Sequence, residues 1–278
     1  MAGRSEPGSG IDLTRPEGLE ELRRHTDGHD VVVNASGIEE PRIVETLGPA
    51  ALVEISATAA YLAELSERTP AGTGVLLGAG LVPGLSTILV RALPTEPGDD
   101  VDLAVVLGSG EEHGAQAVAW TASLAGRTLH DPPEGTAIRN YREFRRLPSP
   151  TGRRRHLRAD FPDHFLVGRP DGISVRTYLA TGGAVTTAAL AAVGWVPAAA
   201  GLIRYAPHWG DARWSLTALS RRTGVSISAQ GEGQSVATGR LTAAAAIALH
   251  EAGPGRVVTM SDVLDREAAG AVPGIEVG

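Results

Sequence analysis

The chain has 278 residues and a formal net charge of −7, and its charged and hydrophobic fractions, 21% and 42%, are those of an ordinary globular protein. The acidic balance argues against general binding to nucleic acid or anionic membranes, which requires a basic surface. The sequence contains no Cys, which excludes disulfides, thiolate nucleophiles and cysteine-ligated metal sites. All 25 basic residues are Arg, and the lack of Lys excludes Schiff-base catalysis and a phosphate-binding P-loop lysine.

Residues 1–93 alternate between short apolar runs and helical patterns. Three runs have the form of strands buried on both faces: 30–34, 51–56 and 74–78. Helices are predicted over 17–25, 41–47 and 59–68, and after Pro83-Gly84. Because parallel strands need crossover connections, and right-handed crossovers build a doubly wound sheet, this part predicts an open α/β fold of the nucleotide-binding type.

After a linker over 94–100, the pattern changes to that of an α+β domain. Strands are predicted over 101–107, 173–180 and 226–229, and helices over 114–124 and 184–193. The intervening stretch 127–171 is rich in Arg, Pro and Asp and has no regular period. A long helix is predicted over 234–251, and Gly253 occupies the position after its last turn, where glycine is favoured.

Targeting and membrane signals are weak. Residues 1–10 lack the apolar core of a signal peptide. The uncharged stretch 178–203 is long enough to span a bilayer, but it is mostly Ala, Gly and Thr and contains Gly182, Gly183 and Pro197. It predicts a buried strand end followed by a soluble core helix. We therefore expect a cytoplasmic protein with no membrane partner.

The segment 78–84, Gly-Ala-Gly-Leu-Val-Pro-Gly, follows a strand and opens a helix, as a diphosphate-binding loop does. Its spacing is G-x-G-x-x-x-G, two strand–helix units precede it, and the next strand does not end in an acidic residue. The segment is more typical of a later strand-to-helix loop that lines the cofactor or substrate cleft. Arg4 and Ser5 follow Ala2-Gly3 as at the end of a second Rossmann strand, where Arg pairs with the 2′-phosphate of NADP. The alternative for Arg4 is a tail with an incidental arginine.

Taken in order, these motifs resemble the saccharopine dehydrogenase-like oxidoreductase family. The matching segments are Ala-Gly-Arg-Ser at 2–5, Asp-Val-Val-Val-Asn-Ala-Ser-Gly at 30–37, Val-Glu-Ile-Ser at 53–56 and Gly-Ala-Gly-Leu-Val-Pro-Gly-Leu-Ser at 78–86. In the tail, the segments 231–238 and 255–264 also resemble the closing part of such proteins. Each motif is weak alone, and their shared order carries the resemblance.

The resemblance implies an enzyme that moves hydride between NADP(H), with NAD as the alternative, and an imine, amine or related carbonyl of a small, amino-acid-derived substrate. It implies a partial Rossmann-like domain over 1–95, an inserted α+β substrate and dimerisation domain over 96–230, and a C-terminal segment over 231–278 that returns to the first domain. A homodimer is the expected assembly. The implied cofactor-binding residues are Arg4, Ser5, Asn34, Ala35, Ser36, Gly37, Ser56, Ala57, Thr58, Gly78, Gly80, Pro83 and Gly84.

The N-terminus departs from the family pattern. Members begin with a strand and a G-x-G-x-x-G loop before the Ala-Gly-Arg motif, so about thirty residues, including the groups that hold the diphosphate, are missing before Met1. Two hypotheses follow. The chain is either a hydride-transferring enzyme, or an N-terminally truncated remnant with weak or no cofactor binding that acts as a binding or interaction protein.

Other polar residues carry weaker signals. Glu111-Glu112-His113 follows a strand and predicts acid–base groups, with His113 in contact with substrate, or else an acidic helix start. Arg176, at the entry to a buried strand, is a candidate ligand for a substrate carboxylate. The eight arginines within 139–158 are more typical of a solvated face or an oligomer contact than of nucleic-acid binding.

No metal site and no catalytic residue is identified. His25 and His29 lack a third ligand and read as a surface loop. Hydride transfer needs little from the protein beyond placement of the reactants, so the general acid has no sequence signature. Four tryptophans are predicted to be packing groups rather than stacking groups: Trp120, Trp195, Trp209 and Trp214.

Overall fold

The computed structural model describes residues 11–108, 110, 120–196, 198, 201, 211–253 and 255–278. The described strands are β1 (Val31–Asn34), β2 (Ala51–Glu54), β3 (Val75–Leu77), β4 (Asp100–Leu107), β5 (Phe144–Leu147), β6 (Arg154–Arg158), β7 (Ser174–Thr181), β8 (Arg213–Ser220), β9 (Ser226–Glu232), β10 (Val257–Thr259) and β11 (Ile275–Val277). The helices are α1 (Pro16–Thr26), α2 (Ala59–Arg68), α3 (Leu85–Arg91), α4 (Ala184–Trp195), α5 (Gln234–Ala252), α6 (Met260–Val263) and α7 (Arg266–Gly270). The predicted α/β class is confirmed.

The smaller sheet is parallel throughout, in the order β1-β2-β3-β10. Successive side chains of a strand point to opposite faces, and here both faces are covered. Leu52 packs in a core with residues of α1 and α2, whereas its neighbour Val53 packs in a second core with residues of α3 and α5. Burial on both faces explains why these strands are short runs of apolar residues rather than alternating ones.

The larger sheet is mixed, in the order β11-β9-β8-β4-β7-β6-β5. Only its β4–β7 pair is parallel. The main core contains Leu76 of the parallel sheet together with Leu103 and Leu216 of the mixed sheet, so one core joins the two sheets. The segment 231–278 contributes to both, because β10 pairs with β3 and β11 pairs with β9.

Several helices end where the sequence predicts. The predicted helix 59–68 is α2, and α5 ends at Gly253, whose φ of 49° lies in the left-handed region. The predicted helix after Pro41 is instead a short 3₁₀ turn, Pro41–Glu45, in which the Glu40 side chain accepts from the Arg42 N–H. Of the predicted helix 114–124, only 120–123 is described as helical.

The stretch 127–171, without period in sequence, contains the β5–β6 hairpin and a π-helical turn, His164–Gly168. Strand β8 was also not predicted. Trp214 of β8 is buried as expected, but the packing prediction is wrong for Trp195, which is 64% exposed at the end of α4. Trp209 lies outside the described residues.

The uncharged stretch 178–203 forms the end of β7 and the helix α4 as far as it is described. Within the part of the chain that the structure describes, no helix has both the length and the apolar composition needed to cross a bilayer.

Candidate functional site

Polar side chains converge at the carboxyl edge, by which we mean the C-terminal ends of β1, β2 and β3 and the loops that follow them. Asn34 ends β1 and lies opposite Glu54, the last residue of β2. One carboxyl oxygen of Glu54, Oε2, accepts hydrogen bonds from Asn34 Nδ2 at 2.7 Å and from the Tyr61 hydroxyl of α2 at 2.9 Å. The other, Oε1, accepts from the Ser56 N–H at 2.8 Å. Two adjacent strands and one helix thus meet at a single carboxyl group.

The Glu54 carboxyl is only 2% exposed. Burial raises the pKa of Glu54 to about 7, although the hydrogen bonds from Ser56, Asn34 and Tyr61 favour its charged form. Burial and the neighbouring Glu54 also raise the pKa of Tyr61, so its hydroxyl stays protonated and donates. A carboxyl with a pKa near neutrality can hold or release a proton at physiological pH. Because Glu54 has almost no exposed surface, its structural role is to position the groups around it.

The segments 34–37 and 56–58, both predicted to bind cofactor, lie side by side at this edge. Asn34 Oδ1 accepts from the Ser36 hydroxyl at 2.7 Å, while Asn34 Nδ2 also donates to the Ile38 carbonyl at 3.1 Å. The Ser56 hydroxyl donates to the carboxylate of Glu39. The other predicted residues in these turns are Ala35, Gly37 and Ala57.

The loop after β2 also contacts the part of the chain that carries the mixed sheet. The Trp120 indole N–H donates to Thr58 Oγ1 at 2.9 Å, and the Trp120 ring packs on Phe161 with centroids 5.1 Å apart. These contacts place residues from the predicted substrate domain beside the carboxyl edge. A ligand at the edge would therefore have protein on two sides.

Several backbone N–H groups of the glycine-rich segment 78–84 form hydrogen bonds with carbonyls of the chain. The N–H groups of Gly78 and Ala79 donate to the carbonyl at the end of β2 at 2.9 and 3.0 Å. The Gly80 N–H donates to the Pro83 carbonyl at 3.0 Å, and the first N–H of α3 donates to the Gly80 carbonyl at 2.9 Å. The loop is therefore closed on itself.

Close packing explains the glycines of this loop. Gly84 has φ of 136°, and a Cβ there would lie 2.1 Å from the Gly80 carbonyl oxygen. The peptide bond Val82–Pro83 is cis. On the side of α5, the Thr242 hydroxyl donates to the Ala79 carbonyl at 2.6 Å, so a helix occupies the space that a ligand would need there.

A dinucleotide has two different requirements at such a site. Its ribose and nicotinamide need hydroxyl and amide partners, and Asn34, Ser36, Ser56 and Thr58 fit this need by their chemistry. Its diphosphate needs free backbone N–H groups at a glycine-rich turn. The segment 78–84 fits the diphosphate poorly, because the N–H groups of Gly78, Ala79 and Gly80, like the first N–H of α3, already donate within the chain.

Among the remaining predicted site residues that the structure describes, Arg176 does not join the carboxyl edge. The guanidinium of Arg176 forms ion pairs with Asp100 and Glu134, so it is neutralised within the protein. His25 Nδ1 contacts the Glu21 carbonyl at 2.9 Å, and the described residues contain no cluster of three or more histidines and carboxylates. Three predicted residues lie outside the described part of the chain, together with the acidic pair 111–112: Arg4, Ser5 and His113.

A second buried carboxyl, that of Asp163, has neighbours on α3 and on β7 of the mixed sheet. Asp163 precedes the π-helical turn and is fully buried. Burial raises its pKa to about 6, while the nearby hydroxyls of Ser86 and Thr177 favour the charged form. Neither hydroxyl reaches the geometry of a regular hydrogen bond to the carboxyl. Ser86 is the second residue of α3, so one neighbour of Asp163 lies close in sequence to the glycine-rich loop.

Sequence reasoning missed Glu54, Tyr61 and Asp163 as members of polar clusters. A signal for Glu54 was present, since a carboxylate at the end of a doubly buried strand must have partners or an altered pKa. Tyr61 had none, because its position on α2 matches an ordinary core residue.

Comparison with known proteins adds no assignment. No protein-family model matches the sequence, and no curated protein matches it. Function is therefore inferred from the carboxyl edge and from the motif resemblance.

Proposed function

We propose that the chain is an oxidoreductase that resembles saccharopine dehydrogenases, binds NADP(H) or NAD(H) at the carboxyl edge, and transfers hydride to or from a C–N bond or related carbonyl. One observation carries the proposal: Asn34, Ser36 and Ser56 meet where adjacent parallel strands end. In open α/β sheets, ligands bind outside the carboxyl ends of the strands.

The residues of the edge would orient the ligand rather than react with it. Glu54 accepts from the Asn34 amide N–H and thereby fixes which way that amide points. The Asn34 oxygen in turn accepts from the Ser36 hydroxyl, whose oxygen accepts from the Ile38 N–H at 3.1 Å and keeps one lone pair for a ligand hydroxyl. When bound, the nicotinamide supplies or accepts the hydride, and the protein contributes placement and exclusion of water.

The test is a fluorescence titration with NADPH and NADH. The unaltered chain is expected to bind one of them in the micromolar range. S36A/S56A is expected to weaken binding about thirtyfold, since two lost hydrogen bonds of about 1 kcal/mol each amount to about 2 kcal/mol. The control S66A/S228A removes two hydroxyls away from the edge and should leave the affinity unchanged. Absence of binding at millimolar concentrations of both nucleotides would refute the proposal.

A second function, that of a binding protein without a dinucleotide, is favoured by the closed loop 78–84. The same titration separates the two. A folded chain that ignores both nucleotides, yet is stabilised against heat by small amino-acid-derived ligands in a manner that S36A/S56A abolishes, would support this second function.

A further inference from the structure

Charge is strongly segregated along the chain. The twenty residues 139–158 contain eight arginines and one carboxylate, Glu143, and so carry +7 in a protein whose total is −7. The remaining residues carry −14. Such a field concentrates acidic partners on one side of the molecule.

Two of these arginines pair with carboxylates of described residues. Arg145 pairs with the buried Asp102 at 2.8 Å, and Arg158 pairs with Glu134 at 3.3 Å. The other six, which we call the arginine patch, have no carboxylate partner within the described part of the chain, and all but Arg146 direct their guanidinium to a carbonyl or an aromatic ring: Arg139, Arg142, Arg146, Arg153, Arg154 and Arg155.

Part of the arginine patch lies on the β5–β6 hairpin at an open sheet edge. β5 is the last strand of the mixed sheet, and no described strand pairs with its outer side. The Arg158 N–H donates to the Glu143 carbonyl at 2.8 Å. Along an antiparallel strand, every second residue directs its backbone N–H and C=O to the same neighbouring strand. Since Glu143 faces β6, the backbone groups of Phe144 and Arg146 point away from β6. The Arg146 carbonyl is covered only by the Arg153 guanidinium, at 2.8 Å.

Exposed aromatic rings accompany the open edge. Phe144 is 54% exposed and Trp195 is 64% exposed. Arg155 stacks on Phe144 at 4.0 Å from the ring centroid, and Arg142 stacks on Trp195 at 4.8 Å. Arginines alone would protect an edge strand from aggregation. Exposed rings beside them have the opposite effect, because they offer apolar contact to a partner.

We propose that β5 and the arginine patch dock an extended, acidic segment of a partner protein, which adds to β5 as a further strand. Main-chain hydrogen bonds to Phe144 and Arg146 supply affinity, and carboxylates opposite the arginines supply specificity. Pairing of β5 with β5 of a second copy is disfavoured, because it would bring the arginines of Phe-Arg-Arg-Leu against one another. Single-stranded nucleic acid is disfavoured, because its bases would compete with the arginines already stacked on both rings.

The test measures fluorescence anisotropy of a labelled, end-blocked peptide of alternating Glu and Val, and of an oligo-dT of equal charge. The unaltered chain should bind the peptide in the micromolar range and the oligo-dT more weakly. R146E/R155E should weaken peptide binding about tenfold, whereas R213E/R266E, a reversal of equal size at distant exposed arginines, should not.

R146A and R146P separate strand addition from simple charge attraction. Both remove the same charge, but only R146P also removes an outward backbone N–H, and proline is tolerated on edge strands. Strand addition predicts that R146P binds about fivefold more weakly than R146A, the effect of one hydrogen bond near 1 kcal/mol. Equal affinities, tighter binding of oligo-dT, or a dimer in sedimentation that R146E/R155E dissociates would each overturn the proposal. Circular dichroism verifies the fold of every variant.

Discussion

At the scale of single residues, buried carboxyls behave according to the cations near them. Asp102 is fully buried between Arg145 and Arg221, which compensate its charge. Glu54 and Asp163 are as deeply buried, but each has only neutral donors beside it, so burial raises the pKa of both. A buried carboxyl that has only neutral donors beside it can therefore titrate near neutral pH.

The stability of the protein should therefore carry the signature of Glu54. Its pKa is about 7 in the folded chain against an ordinary value of 4.5, so its stabilising contribution is complete below pH 4.5 and is lost as the pH rises through 7. The loss amounts to about 3 kcal/mol. In urea unfolding at pH 5, E54Q should be less stable than the unaltered chain, because glutamine has one acceptor oxygen fewer. At pH 8 the difference in the free energy of unfolding between the two proteins should be smaller, because the unaltered chain has lost the contribution of Glu54.

The matched control is E64Q, which alters an exposed carboxylate on the same helix that Tyr61 occupies. Its pH profile should run parallel to that of the unaltered chain. A constant stability difference between E54Q and the unaltered chain at the two pH values would show that Glu54 does not titrate in this range.

At the scale of elements, glycines are required for different reasons. Gly253 ends α5 in the left-handed region, a local requirement that the sequence pattern predicts. Gly84 is required because the Gly80 carbonyl lies against its Cα, which no local pattern reveals. Gly239, within α5, has open space around it and so is a cost to the helix.

Two alanine substitutions should have opposite effects. G84A places a Cβ 2.1 Å from a carbonyl oxygen and should lower the free energy of unfolding by more than about 3 kcal/mol or prevent folding. G239A should raise it by about 1 kcal/mol, because alanine is the better helix former. Thermal and urea unfolding measure both. A G84A protein as stable as the unaltered chain would contradict the closed loop.

At the scale of the whole molecule, the two sheets share one core. Leu76 of β3 and Leu216 of β8 belong to the same cluster of buried residues. Arg91 of α3 reinforces the junction, since its guanidinium binds both Asp171 at 3.0 Å and Asp262 at 2.7 Å. A shared core couples the unfolding of segments that the sequence assigned to different domains.

The coupling can be tested with the tryptophans, all four of which follow residue 119. L76A in the parallel sheet should destabilise the chain by about 2 to 5 kcal/mol and should shift the unfolding midpoint seen by tryptophan fluorescence as far as that seen by far-UV circular dichroism. V236A, at an exposed position of α5, should shift neither. Two separate transitions, with fluorescence unaffected by L76A, would show that the sheets unfold independently.

Much of the carboxyl edge could be predicted. The family resemblance placed the segments 34–37 and 56–58 in one cleft, and in the structure they lie together at the ends of adjacent parallel strands. The β5–β6 hairpin could not be predicted, because its strands consist mostly of arginines and show no alternation of polar and apolar residues. Strand β8 was missed although a signal was present, since Gly210 and Gly224 flank a run in which Trp214, Leu216 and Ala218 alternate with polar residues.

The α/β class and the parallel direction of β1 to β3 could be predicted from local patterns, because doubly buried strands and amphipathic helices leave apolar patterns that depend only on the spacing of neighbouring residues. Long-range contacts, in contrast, bring Asn34 and Tyr61 to the Glu54 carboxyl, pack α5 on the glycine-rich loop and neutralise Arg176. These contacts join residues far apart in the chain. They follow from strand register and helix packing, and neither is encoded in the spacing of neighbouring residues.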